Sequence, residues 1–489
     1  MISSRLFVRA VAASLLVLPA LALAQTRAGI RVGEWNVTNY LPSAVTPAVA
    51  SARNAAFATS LYGTFEGRSF APDVLMGQEF LSAAGITSFL NVLNTAANSP
   101  GDWAAAPFVN NTNTTSTFSN NGSNAFFYRT SKFDLLGSAS IAGDPRNTMR
   151  YDVRAKGYQN TANAPLISLY SDHFKSGSGS DDQARRQTQA ASIRANAATF
   201  TDGRAILFGG DLNIQSSSQT AYQTLTVNGP FADPIRSPGD WNNNQAFRFI
   251  HTQDPIGSGG MDDRHDQILI NGTLRDGKGI EYIGDSTKAY STTTWNDPNH
   301  SYRVWGNDGT SYGQPLTTTG NTMVGETIAQ ALRDSTGNSN PNSTGGHLPV
   351  FLDLKTAAEI GASADVLDFG DVIAGSSAMR ALSVFNSVDA AIYGENGVQS
   401  LTYTLGATGG FSAPGGTFAD LAGGTINAHS IGVDTSVQGL RSGTLTITDV
   451  SGVTRTVTLR ANVVPEPATL AALGLGMAAL LRRRKSAGR

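Results

Sequence analysis

The chain has 489 residues, no cysteine, 52 glycines, 15% charged residues and a formal charge of −2 at pH 7. That length accommodates two or three domains with a sizeable core. The lack of cysteine excludes a disulfide framework and a thiolate metal site. The low charge, with much Gly, Ser, Thr and Asn, points to a β-rich, loop-rich exported protein.

The N-terminus reads as a leader. Arg5 and Arg9 precede an apolar run, Ala10 to Ala24, closing on Ala22-Leu23-Ala24. A charged region, an apolar region and an Ala-x-Ala site mark residues 1–24 as a signal peptide, with Gln25 opening the mature chain.

The next segments read as strands that end in polar residues. Ile30 to Val37 carries Asn36, and Asp73 to Glu79 ends in Gln78-Glu79. Helices are predicted over Thr46 to Tyr62 and Ser82 to Ala97. Asn110 to Asn124 is nearly all Asn, Ser, Thr and Gly and reads as a loop or flexible hairpin. Phe126-Phe127-Tyr128-Arg129 reads as a strand, and Ser168 to Ser176 brings His173 and Lys175 out of an apolar segment. A helix over Asp181 to Phe200 has Asp181 and Asp182 in its first turn, where the helix dipole favours them.

The most informative stretch follows. Ala205-Ile206-Leu207-Phe208 reads as a short buried strand, and Gly209-Gly210-Asp211-Leu212-Asn213 continues it. Asp211 and Asn213, two apart, point to the same side of an extended chain. An acid and an amide at a strand exit, behind two glycines, suit phosphate binding beside an activated water. Farther on, Arg264 to Ile270 places Asp266 at the head of a strand. Alternation puts His265 on the opposite face, as a structural residue. Thr336 to Gly345 is a polar loop, and Gly346-His347-Leu348-Pro349-Val350-Phe351-Leu352 follows it.

In this order, Asn36, Glu79, His173, Asp211-x-Asn213, Asp266 and His347 resemble the endonuclease/exonuclease/phosphatase superfamily, over roughly Gly29 to Lys355. The resemblance implies an α/β fold: a four-layer α/β sandwich, two mixed β-sheets flanked by helices, with the site at one end of the sheets. It implies metal-dependent hydrolysis of phosphoester bonds, with Mg²⁺ (or Mn²⁺ or Ca²⁺). Glu79 is then the metal ligand, with Asn36 beside it. Asp211 positions or deprotonates the water, and Asn213 donates to a phosphate oxygen. His347 contacts the scissile phosphate and Asp266 orients it, while His173 is a candidate acid for the leaving oxygen. Tyr128 matches a strand that supplies a tyrosine near the phosphate, and Arg185 and Gln189 sit suitably on the helix after the His173 strand. One departure stands out: the family's Ser-Asp-His is here Gly345-Gly346-His347, so a carboxylate is missing.

Near Gly361 the pattern changes to strands alone. Asp365 to Val372 opens this region. Thr444 to Thr448 and Thr454 to Val463 alternate with period two around Asp449-Val450-Ser451-Gly452, a hairpin signature. About 100 residues of such strands suggest an all-β immunoglobulin-like sandwich. Its histidine, His429, is expected at the surface. The predicted division is 25–357 for the catalytic domain, 364–463 for the sandwich and 464–489 for a sorting segment.

That last segment reads Val464-Pro465-Glu466-Pro467, then an apolar run to Leu481, then Arg482-Arg483-Arg484-Lys485. It resembles the bacterial Pro-Glu-Pro sorting signal. The resemblance implies an exosortase as processing partner, a membrane-spanning helix before processing, and a cell-surface or extracellular destination in a Gram-negative bacterium. Losing Arg5, Arg9, Arg482, Arg483, Arg484, Lys485 and Arg489 takes the formal charge from −2 to −9. An acidic body lacks the broad attraction behind non-specific DNA binding. The expected function is a monomeric, exported phosphodiesterase acting on extracellular nucleic acid as an endonuclease. A phosphodiesterase for lipid head groups or small phosphates and a catalytically degenerate surface-binding protein are the alternatives.

Overall fold

The computed structural model describes residues 29–110, 123–257, 259–337, 345–424 and 426–486. The leader and the middles of the two polar loops, Asn110 to Asn124 and Thr336 to Gly345, lie outside the described residues.

The first thirteen strands are β1 (Ile30–Tyr40), β2 (Val74–Phe80), β3 (Trp103–Ala105), β4 (Ser123–Arg129), β5 (Phe133–Ile141), β6 (Thr148–Ala155), β7 (Leu166–His173), β8 (Ala205–Asp211), β9 (Phe231–Ala232), β10 (Asp266–Asn271), β11 (Glu281–Tyr282), β12 (Arg303–Val304) and β13 (Val350–Lys355). They form two mixed sheets. One has the order β11-β13-β1-β2-β4-β3, with β12 also on β13; the other has β5-β6-β7-β8-β10-β9. β1 runs parallel to β2 and β7 to β8, and the remaining pairs are antiparallel.

The sheets pack face to face, β1 and β2 against β8 and β2 and β4 against β7. Alternation along β8 shows how a fully buried strand serves two layers: Leu207 joins the core between the sheets, while Ile206 and Phe208 join the core under the outer helices. Helices α1 (Pro47–Tyr62), α2 (Ala83–Thr95) and, later in the chain, α5 (Gly325–Gly337) cover the first sheet. Helices α3 (Ser180–Ala197) and α4 (Thr220–Thr226) cover the second. The result is the expected four-layer α/β sandwich. Thr46 and Ser82 cap α1 and α2 through the N–H groups of Val49 and Gly85, satisfying a donor that a helix start leaves open. α4 and α5 were not predicted. Buried Ile328, Ala331 and Leu332 give α5 a helical spacing.

The C-terminal strands are β14 (Ile360–Ala362), β15 (Val366–Ile373), β16 (Ala378–Asn386), β17 (Leu401–Ala407), β18 (Phe411–Ser412), β19 (Thr417–Asp420), β20 (Asn427–Val433), β21 (Gly439–Asp449) and β22 (Thr454–Val464), with α6 (Ala390–Tyr393) after β16. They make a four-stranded and a five-stranded sheet closed over Leu382, Val384, Ile431, Leu445, Ile447, Val457 and Leu459. The predicted hairpin is present, with Thr448 opposite Thr454. His429 is not at the surface. It is 5% exposed and its Nε2 lies 2.6 Å from the Tyr403 hydroxyl.

Helix α7 (Pro467–Ser486) follows β22 directly. Among the described residues no helix is long and apolar enough to cross a membrane. The membrane-spanning helix expected here is therefore not found: the apolar run stops at Leu481, short of the roughly 20 residues a span requires, and four basic residues follow.

Candidate active site

Strand ends bring the site together. β7, β8 and β10 are neighbours, and their registers place His173 opposite Asp211 and Asp211 opposite Asp266. The close approach of β7 and β8 requires glycine beside Asp211: a Cβ at Gly210 would lie 1.9 Å from the Asp172 carbonyl oxygen. On the facing sheet, the regular pairing of β1 with β2 runs as far as Asn36, and Glu79 is the penultimate residue of β2. The β2–β4 pairing is interrupted between Gly77 and Phe80, and Glu79 has φ +63°, a left-handed conformation that turns its side chain into the cleft. His347 precedes β13, and its carbonyl accepts from the Trp35 indole at 3.1 Å.

Asn36 Nδ2 donates to Glu79 Oε1 at 3.0 Å and to Asp211 Oδ2 at 3.2 Å, while its Oδ1 accepts from the Thr38 N–H. Asn36 thus holds two carboxylates together across the two sheets. The Asn39 N–H donates to Glu79 Oε2 at 2.7 Å. His173 Nδ1 lies 3.5 Å from Glu79 Oε1, and its Nε2 3.3 Å from Asp211 Oδ2. His347 Nδ1 lies 2.8 Å from Asp266 Oδ2, and its Nε2 3.6 Å from Asp211 Oδ2. Asn213, with φ +49°, donates through Nδ2 to the Phe174 carbonyl at 3.1 Å. All seven residues are buried.

Burial dominates the electrostatics. It pulls the His347 imidazole down, but the carboxylates of Asp266, Asp211 and Glu79 outweigh it and lift the group to about 10. His173 moves the other way, held well below its usual value by burial and then by Arg146 and His347. Asp211 is raised, by burial first and by Asp266 and Glu79, against the pull of His347. The two imidazoles are thus pushed apart, His347 toward the cation and His173 toward the neutral form.

The donor set fits a hard divalent cation. Ligand atoms of Asp211, Asp266 and His347 all lie within 4.8 Å of one another; the carboxylates are the direct donors, since the imidazole could ligate only after losing its proton. Glu79 joins them through Asn36. The carboxyl oxygens of Glu79, Asp211 and Asp266, buried close together, are the hard donors that oxygen-seeking Mg²⁺ or Ca²⁺ prefers.

Tyr128 does not join the site. It pairs with Val74 at the start of β2, whereas Glu79 lies at the end of that strand, and its ring stacks on Phe126 in the core. A strand of known length fixes the outcome: five residues carry it roughly 16 Å from the cleft. Arg185 is also elsewhere, paired with Asp144 and Asp181 at the start of α3. Gln189 supports the site from behind, accepting the Lys175 N–H. His265 lies outside the cleft, across from Leu212 on the helix-facing side of the sheet; its carbonyl accepts the Leu212 N–H.

Two residues were missed. Arg146 is 5% exposed and donates from Nε to the His173 carbonyl and from Nη2 to the Phe174 carbonyl, both at 2.6 Å, so it pins the end of β7. Nothing in its loop sequence marks it. Glu34 is fully buried between the sheets with neither carboxylate oxygen hydrogen-bonded. Burial, then Asp266 and Asp211, raise its carboxyl well above the ordinary range and favour its protonated form behind the cleft. Period-two spacing from Asn36 put it on the inward face, a signal the sequence did carry.

Comparison with known proteins gives the following. Residues 463–485 match the model of the PEP-CTERM protein-sorting motif. A search of the curated proteins finds no match. Among solved structures, the chain is similar to D. rerio TDP2 humanized by 14 mutations, at 14% identity over 67% of this chain and 99% of that one, with a TM-score of 0.38. It is similar to the mannosyl-6-phosphatase of Bacteroides thetaiotaomicron, at 14% identity over 67% and 99%, with a TM-score of 0.36. It is also similar to an endonuclease/exonuclease/phosphatase family protein from Leptotrichia buccalis, at 12% identity over 67% and 100%, with a TM-score of 0.35.

Proposed function

We propose that this protein is an exported, divalent-metal-dependent phosphodiesterase, with extracellular nucleic acid as its substrate and residues 25–357 as its catalytic domain. The observation that supports this reading is the meeting of Asn36, Glu79, His173, Asp211, Asn213, Asp266 and His347 at one end of two facing sheets. A bound cation supplies charge stabilisation on the phosphate oxygens, and Glu79 would hold it, with Asn36 fixing the carboxylate. Asp211 takes a proton from the attacking water as the new P–O bond forms. The imidazolium of His347, oriented by Asp266, lies against the charge that develops on phosphorus-bound oxygen. Asn213 has one amide hydrogen on Phe174 and presents the other to the phosphate. When the P–O bond to the leaving group breaks, that oxygen takes a proton from the imidazolium of His347; His173, held well below its usual value by burial and Arg146, does not fill the acid role expected of it. The C-terminal sorting motif supports delivery to the cell surface through an exosortase.

A second reading, hydrolysis of a small or lipid-derived phosphodiester, is favoured by Asp254 and Asp262. Burial pushes both carboxyls up to about 6; Asp263 adds to this at Asp262, and Asp262 and Asp263 add to it at Asp254, against the downward pull of His347. An acidic flank opposes a long polyanion more than a compact ester. The test is to assay the mature protein on plasmid DNA, sphingomyelin and bis(p-nitrophenyl) phosphate, with and without Mg²⁺. Mg²⁺-dependent nicking of plasmid supports the first reading. Turnover of only the small or lipid ester supports the second, and no turnover of any substrate would sink both.

A further inference from the structure

The end of the catalytic layers opposite the cleft is occupied by the C-terminal sandwich. Its contact is a wedge around α6. Tyr393 is fully buried, and its hydroxyl donates to the carbonyls of Lys132 at 3.3 Å and Lys156 at 2.9 Å. Those residues flank the ends of β5 and β6 in the second sheet. The Tyr393 carbonyl accepts the Gly29 N–H at 2.7 Å, at the start of β1 in the first sheet. The Thr356 N–H, just past β13, donates to the Gly397 carbonyl, and the Gln399 N–H donates back to the Thr356 carbonyl. Glu359 accepts from the N–H groups of Gln159 and Asn160 and from the Ser387 hydroxyl. One wedge therefore ties the ends of both catalytic sheets. Its apolar residues Val388, Tyr393 and Val398, with Ala422, belong to the same continuous core as Ile30 and Leu354. A core shared in this way unfolds as one body, because separating the halves would expose it on both sides.

The same registers give the molecule a direction. β22 begins at the hairpin whose Val450 N–H donates to Thr402, beside the wedge, and ends at Val464, opposite Ile373. Its 11 residues span about 35 Å. Helix α7, carrying the sorting motif, leaves from that far end. Along β1 the order is reversed: Ile30 is at the wedge and Asn36 at the cleft. The cleft and the sorting segment thus lie at opposite ends.

We propose that the sandwich is a rigid pedestal. It folds cooperatively with the catalytic layers and holds the cleft away from the surface to which the C-terminus is directed. The outward orientation rests on the reading of the cleft and of the sorting motif; the cooperativity does not, and its test uses no substrate, so its failure is distinguishable from failure of the proposed chemistry. All five tryptophans, Trp35, Trp103, Trp241, Trp295 and Trp305, lie in the catalytic layers, so indole fluorescence reports on them alone. Leu459→Ala opens the distant sandwich core, where Leu459 is fully buried. In the mature chain it should lower the fluorescence-detected melting midpoint together with the circular-dichroism midpoint, by on the order of 5 °C. A fluorescence midpoint that stays in place while a separate transition moves would overturn the proposal. If Leu459→Ala does not fold, Ile447→Val makes the same comparison with a smaller lesion. Because the chain has no cysteine, Ser176→Cys near the cleft and Leu440→Cys at the far end of the sandwich can carry a spin-label pair. One narrow distance distribution is expected; a broad one would remove the rigidity.

Discussion

His347 Nδ1 and Asp266 Oδ2 lie 2.8 Å apart, and 81 positions of sequence separate them. Asp266 Oδ2 meets the imidazole, and among the described residues its Oδ1 has no hydrogen-bond partner. The pair therefore acts as one unit: the carboxylate sets the tautomer and orientation of the ring, and the ring aims Nε2 toward Asp211. Losing either member should lower turnover on the order of 10²–10⁴-fold. The double variant His347→Ala/Asp266→Asn should be little worse than the worse single variant, since coupled groups are not additive. Turnover of a model phosphodiester, with melting temperature as the folding control, checks this. Near-normal turnover in a folded His347→Ala would remove the residue from the mechanism.

EDTA should abolish hydrolysis, and Glu79→Gln should weaken the Mg²⁺ response by removing one ligand charge. Asn36 and Asn39 both donate to this carboxylate, so the amide side chain also loses their fit. Activity titrated against Mg²⁺ for both proteins is the measurement. Full activity in excess EDTA would rule out the metal.

The position of the family's missing carboxylate gives a third prediction. The sequence comparison suggests that Gly346→Asp would restore a ligand and leave metal affinity equal or tighter. The structure argues otherwise. Gly346 has φ +103°, and a Cβ there would lie 2.6 Å from Cβ of Thr336. The substitution should destabilise the fold by about 1–3 kcal/mol and leave Mg²⁺ binding no tighter. Thermal melting and Mg²⁺ calorimetry on the variant check both parts.

Asp233 and Arg264 give a pH prediction remote from the cleft. The guanidinium is fully buried and grips the carboxylate twice, at 2.8 and 3.0 Å. Burial pushes the Asp233 carboxyl up, but Arg264 and the backbone N–H groups of Ile235 and Ser237 outweigh it and lower it. A depressed folded value means stability that is present above the unfolded value near 3.9 and lost as pH falls through the folded value. Asp233→Ala should cost about 3–5 kcal/mol at neutral pH, because it strands a buried charge. Its stability should also fall less steeply than that of the parent below pH 4. Urea unfolding at pH 7 and pH 3 measures both; an equal acid slope in the two proteins would contradict it.

Much was decided by local sequence. The strands carrying Asn36, Glu79, His173 and Asp211, the helix starts at Thr46 and Ser82, and the 448–454 hairpin follow from apolar runs, alternation and capping chemistry. These are short-range preferences, legible because they act within a few residues. The resemblance in motif order carried the rest of the site list; Asn36, Glu79, His173, Asp211, Asn213, Asp266 and His347 meet in the cleft, and Tyr128 and Arg185 do not.

The tertiary structure decided what depends on which strand end faces which. Tyr128 and Asn124 share one strand, yet only the Asn124 end approaches the cleft side, where its side chain meets Ser171. Sequence spacing cannot distinguish the two, because the register of β4 against β2 is set by the packing of both sheets. Arg146 acts through backbone carbonyls 27 and 28 residues away, a role with no motif. Glu34 and His347 are raised and His173 is lowered because burial and neighbouring charge set protonation, and both exist only once the two sheets have closed.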